Sequence, residues 1–274
     1  PAMRVAGLVS FVAAAAALWL LVRDVAGRAV AFAAVALFTL TPLAFLWSRT
    51  SKIEYLAVAA GLAYLWAGLR WRDGRGARWW PIALAFGLVC ALVKPPTFVA
   101  LAIPLALARD RVEAANAVAW LRTRVDPRLV ALGVLPLAAS LAWLRYGDAI
   151  KATSASMRYL SSSSGYWNNY YYSTLDDRFN PIHAGRIAYH FTDLAVGHYT
   201  LLFLGVGLVA ALRLPRASFP LSLAASIVLP IVVFWGAYWQ HDYNIIAVSA
   251  QAAALAAYRF VALARAARRP RRAL

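Results

Sequence analysis

Four stretches of this 274-residue sequence carry side chains suited to chemistry. In WSRTSKIEY (47–55), Arg49 and Lys52 stand within five residues of Glu54. Two cations and a carboxylate at a helix mouth suit a phosphate, or a phosphate bridged by a divalent metal ion on Glu54. The same residues would also serve as interfacial anchors that snorkel toward headgroups. In ALVKPPTF (91–98), the prolines break the helix and hold Lys94 extended, presenting its ammonium at a helix end. Only three lysines occur, Lys52, Lys94 and Lys151, against a background of arginine. In WQHDYN (239–244), His241, Asp242 and Tyr243 can hydrogen-bond a phosphate or a sugar. Asp242 is also placed to act as a base, while Tyr238 and Trp239 read as an aromatic collar at a membrane edge.

The fourth stretch is the polar, aromatic segment 145–197, too long for a mere connection. Tyr166, Trp167, Asn168 and Tyr170 offer ring faces and amides that suit carbohydrate, and equally the headgroup zone of a bilayer. His183, His190 and His198 follow at spacings of seven and eight, unlike the i, i+4 spacing of a helical zinc motif. The lone cysteine, Cys90, lies in an apolar run, so no disulfide or cysteine-based metal site can form within the chain.

The elements that position these residues are apolar. Hydrophobic residues make up 63% of the chain and charged ones 14%, far from the balance of a soluble domain. The excess falls in blocks near the length of a membrane-crossing helix. Nine runs qualify: 5–22, 29–47, 54–69, 79–93, 96–108, 129–144, 197–212, 217–236 and 244–264. Backbone groups in hydrocarbon must bond within their own segment, so the expected fold is an all-α polytopic bundle of about nine spans. The runs 79–93 and 96–108 are short and read either as two tilted spans or as a re-entrant pair with Lys94 at its tip.

The net charge of +17 would suit nucleic acid, but its distribution argues for membrane topology instead. Alternate connections (23–28, 70–78, 109–128, 213–216 and 259–274) hold nineteen of the 28 basic residues. By the positive-inside rule these are cytoplasmic, including the basic tail, and the four chemical stretches face the outer side. Segment 109–128 alternates arginine clusters with apolar residues and reads as a helix along the inner membrane face. The organisation is therefore an N-terminal part of the bundle (1–144), an outer-face loop region (145–197), and C-terminal spans with a cytoplasmic tail (198–274).

In order and sidedness these motifs resemble the membrane-embedded glycosyltransferases of the GT-C class. The resemblance is to the family 39 group, which includes protein O-mannosyltransferases and lipid A aminoarabinose transferases. Pro42, Arg49 and Glu54 match a pattern ending one early span. Gly87, Lys94 and Pro96 match a second, and His241 with Tyr243 a third. Asn244 stands where the family has a second tyrosine. The resemblance implies an inverting transfer from a polyprenyl-phosphate-sugar donor to a hydroxyl of a lipid, glycan or protein acceptor, at the outer face of a bacterial inner membrane. It implies donor binding by Arg49, Glu54, Lys94, His241, Asp242 and Tyr243, and Lys52 is a further cation placed to stabilise the phosphate's developing charge. The family's Asp base lies in the first outer loop. Here the first residues align with its second helix, so that loop is expected upstream of Pro1 in a longer chain.

Two other classes fit a polytopic chain. A lipid-linked sugar flippase or other transporter needs ionisable residues or broken helices at mid-membrane depth. The spans here are nearly free of charge, with polar groups collected at one face. A non-catalytic scaffold predicts that those groups scatter rather than converge.

Overall fold

The computed structural model describes residues 2–50, 52–107, 126–197, 205 and 218–268. Every regular element among them is helical. In chain order they are α1 (Ala2–Ala26), α2 (Arg28–Thr39), α3 (Pro42–Trp47), α4 (Glu54–Arg72), α5 (Trp79–Val93), α6 (Pro95–Leu107) and α7 (Pro127–Ala152). There follow the short α8 (Gly165–Tyr172), α9 (Leu175–Phe179) and α10 (Pro181–Tyr189), then α11 (Ser218–Val233), α12 (Trp235–Gln240) and α13 (Ile246–Arg268). A π-helical turn (His190–Val196) continues α10, and a 3-10 turn (Asp242–Ile245) joins α12 to α13.

Local chemistry sets several of these boundaries. The run expected over 29–47 divides because Thr41 caps a new helix, accepting from Ala44 N with Pro42 in the first turn. Asp126 caps α7 in the same way, ahead of Pro127. The run expected over 217–236 ends at Val233, and Phe234 turns the chain into α12. The prolines after Lys94 separate α5 from α6 as expected, with Lys94 extended between them.

α4 runs through the middle of the bundle, against α1, α5, α6 and α13. α6 approaches it closely at Gly68, where a Cβ would lie 2.7 Å from Leu105 Cδ2. Small residues permit such packing where lipid gives helices no hydrophobic reason to associate. α13 is apolar nearly all round over residues 246–257 and is correspondingly buried, with α2 and α11 on its flanks. Outward faces stay apolar: Val5, Val9 and Val12 of α1, Phe32 of α2, Val134 and Leu141 of α7, and Val228 and Val232 of α11 are all exposed. Apolar surface on this scale is the signature of a lipid-facing belt.

Two described helices are long and apolar enough to cross a bilayer individually, α1 and α7. α2, α5, α6 and Phe219–Val233 of α11 are shorter apolar helices of 10–17 residues. The inner-face helix expected at 109–128 and the span expected at 197–212 fall mostly outside the described residues, as do the end of the basic tail and His198.

The two ends of α4 differ in chemistry. At its C-terminal end Arg70 lies 2.7 Å from Asp24 of α1, which also accepts from Trp66 Nε1 at 3.0 Å. The Arg70 guanidinium sits 4.5 Å and 4.7 Å from the ring centres of Trp66 and Trp79. Glu54 opens the helix at the other end, about 24 Å away along the axis. The Asp24 cluster thus marks the basic face, and Glu54 the opposite one.

Candidate active site

Glu54 is the first residue of α4 and is buried, 6% exposed. Its Oε1 accepts from Lys94 Nζ at 3.0 Å. Lys94 is delivered by the extended break between α5 and α6, and its side chain is 12% exposed. The ammonium also donates to Asn244 Oδ1 at 2.8 Å. Asn244 is buried in the turn leading into α13, and its Nδ2 donates to Ala237 O at 2.7 Å. That carbonyl fixes the amide's orientation, so the oxygen must face Lys94. Three parts of the chain therefore meet on one ammonium. Burial pulls the Lys94 ammonium below the ordinary lysine range, and the Glu54 carboxylate opposes that pull.

An aromatic layer lies beside the ammonium. Tyr243 has its ring centre 5.2 Å from Lys94 Nζ and 4.2 Å from Lys52 Nζ. His241 stacks on Tyr243, with ring centres 5.0 Å apart. Tyr170 of α8 places its hydroxyl 3.3 Å from that of Tyr243 and 3.4 Å from Asn244 Nδ2. The segment expected as the outer loop thus reaches the buried pair through Tyr170. Gly236 makes this possible, because the Asn169 carbonyl would stand 2.6 Å from a Cβ there, and the Tyr170 carbonyl closer still.

Asp242 is engaged structurally. Its Oδ2 accepts from Trp47 Nε1 at 3.3 Å and its Oδ1 from Tyr243 N at 2.7 Å. Trp47 also meets Tyr243 edge to face at 5.6 Å. Asp242 therefore holds the turn against the end of α3, which suits an anchor better than a base. His241 is exposed, and desolvation together with the nearby Lys52 lowers its pKa, with Asp242 opposing.

The remaining candidates sit apart from the ammonium. Arg49 turns back on its own helix, 3.7 Å from the Phe45 ring centre and 3.3 Å from its carbonyl. Tyr166 packs edge to face on Tyr159 at 5.4 Å. Trp167 stacks on Tyr170 at 5.7 Å, backing it from behind. Asn168 is exposed. Tyr238 is buried and Trp239 donates from Nε1 to Ser173 Oγ at 3.0 Å, so the collar expected from sequence faces protein. His183 lies flat on Trp239, 3.8 Å between ring centres, and His190 meets the Tyr238 carbonyl at 3.1 Å.

Among the described residues no three His, Cys, Asp or Glu side chains gather as a metal-binding group. Glu54 spends one oxygen on Lys94, while its Oε2 is buried without a partner. A single carboxylate beside an ammonium is not a cation centre in itself. Among the described residues Glu54 is thus the single carboxylate at this point, and it acts as the counter-charge of Lys94.

Two members of the site escaped the sequence reading. Asn244 figured there only as a departure from a pattern, and Trp47 not at all. A neutral amide just before an apolar run was the available signal for Asn244. Trp47 offered none, since its contact spans 195 residues of chain.

The chain matches the family model described as dolichyl-phosphate-mannose-protein mannosyltransferase over residues 1–143. No curated protein and no solved structure matches it. The matched stretch contains Arg49, Lys52, Glu54 and Lys94. Tyr170, His241 and Asn244 lie beyond it.

Proposed function

Because the chain belongs to the dolichyl-phosphate-mannose-protein mannosyltransferase family of membrane glycosyltransferases, we propose that it moves a sugar from a polyprenyl-phosphate donor to an acceptor hydroxyl at the outer membrane face. The observation that carries this reading is the convergence on Lys94 of Glu54, Asn244 and the Tyr243 ring. Such convergence is what a scaffold would lack. Its position at one end of α4, rather than mid-bundle, favours surface chemistry over passage.

Transfer releases the lipid phosphate as an anion, and fixed charges aimed at it lower the barrier. Lys94 supplies such a charge, held in place by one carboxylate and one amide oxygen and strengthened by burial. Lys52, exposed above Tyr243, provides a second cation nearer the surface. Glu54 keeps the ammonium oriented. Tyr170 and His241 line the approach with groups suited to sugar hydroxyls.

The test is transfer from polyprenyl-phosphate-mannose by the full-length protein in proteoliposomes. Lys94→Ala, checked for folding, should abolish transfer. Undiminished transfer by that variant would remove Lys94 from the mechanism. Another sugar on the same carrier would relocate the donor preference without touching the role of the ammonium.

A further inference from the structure

Outside the site, one contact ties the outer loop to the end of a bundle helix. Arg178 of α9 donates from Nη1 to Val232 O at 2.7 Å and from Nη2 to Val233 O at 3.2 Å. These are carbonyls of the last turn of α11. The same guanidinium donates to Tyr172 O at 3.1 Å and 2.8 Å, the last residue of α8. A single side chain thus satisfies the open carbonyl ends of two helices, a favourable place for a cation. It fixes the depth of α9 at the level where α11 ends and its lipid-facing residues Val232 and Val233 lie exposed.

At that depth the loop presents unexpected side chains. Leu175 is 73% exposed, Phe179 85% and Ile182 66%. Leu175 and Phe179 share one face of α9 by their i, i+4 spacing. On the opposite face Asp177 accepts from Thr174 N and Oγ1 and lies 3.5 Å from His183 Nδ1. α10 buries Ile187 toward the bundle and leaves Ile182 outward. Water would disfavour three large apolar side chains so close together, whereas the acyl–headgroup boundary accommodates them.

We propose that α9 and the start of α10 dip Leu175, Phe179 and Ile182 into the outer leaflet, and that Arg178 couples this lipid anchor to α8. The occupant is lipid because the face continues the exposed apolar belt of α11 at its end. The anchor steadies the roof of the site, since α8 carries Tyr170. This inference needs the chain to be membrane-embedded and does not depend on the donor or acceptor.

Single cysteines on a Cys90→Ala background, spin-labelled in liposomes of phosphatidylethanolamine and phosphatidylglycerol, test it through accessibility to oxygen and to a water-soluble nickel reagent. Phe32→Cys on the outward face of α2 supplies the lipid reference, and Ser163→Cys in the exposed serine turn the water reference. Phe179→Cys and Ile182→Cys should match Phe32→Cys, with oxygen favoured over nickel. Leu175→Cys reads the same face if either variant folds poorly. Labels matching Ser163→Cys would overturn the proposal. Labels shielded from both reagents would overturn it too, by showing that protein covers the face.

Discussion

Lys94 and Glu54 meet across forty residues of chain, Nζ to Oε1 at 3.0 Å, at the junction of three helices. Burying such a pair adds little net stability, because both ions are desolvated. Removing one member is different. Lys94→Ala should destabilise the protein by about 3–5 kcal/mol by stranding the Glu54 carboxylate. The double variant Lys94→Met with Glu54→Gln should recover most of that loss while remaining inactive. Thermal unfolding in detergent, set beside a transfer assay, separates the two effects.

Asn244 holds the ammonium with an uncharged oxygen. Asn244→Ala leaves Lys94 and the Ala237 carbonyl short of partners, a cost of about 1–3 kcal/mol. Asn244→Asp offers Lys94 a second carboxylate but turns an acceptor oxygen toward the Ala237 carbonyl in place of the Nδ2 donor, so it should fold no better than Asn244→Ala. It should also transfer poorly, because a second carboxylate beside the Lys94–Glu54 pair leaves a net negative charge where a phosphate would bind. Wild-type turnover by Asn244→Asp would show that the ammonium's net charge is immaterial.

Gly236 is where α8 rests on α12. Gly236→Ala would push its Cβ against the Asn169 and Tyr170 carbonyls. The expected result is a displaced Tyr170 and a drop in transfer, with only modest loss of thermal stability because α8 is a short surface helix. Tyr170→Phe removes only two long hydrogen bonds and should cost less than the glycine variant.

His241 gives the site a pH signature. Its pKa is lowered, so in acid the folded protein binds fewer protons than the unfolded chain. The stability contributed by the neutral ring is full above about pH 6.5, the ordinary histidine value, and is lost as pH falls through the lower folded value. His241→Gln should flatten the decline in melting temperature between about pH 7 and pH 5. An unchanged slope in that variant would place the titration elsewhere.

Much of this architecture could be read from residue order. Apolar runs gave the helices, and the prolines after Lys94 gave the break that presents it. Other features depend on long-range packing and left no local trace. The inward direction of Trp239 depends on Ser173 and His183. Arg49 stands five residues before Glu54, yet its contacts are with Phe45. The division of 29–47 was encoded in Thr41–Pro42 but was outweighed by the surrounding hydrophobicity.

The Asn244–Lys94 contact also has a consequence for how the protein is made. Domains and helices form in the order of synthesis, and the contact spans 150 residues. Glu54 and Lys94 can pair early, while the ribosome is still extending the chain. The amide that completes the ammonium's surroundings, and the tyrosine ring beside it, are translated only much later. A chain that ended before His241 would hold the charge pair without the amide and the ring that complete its surroundings.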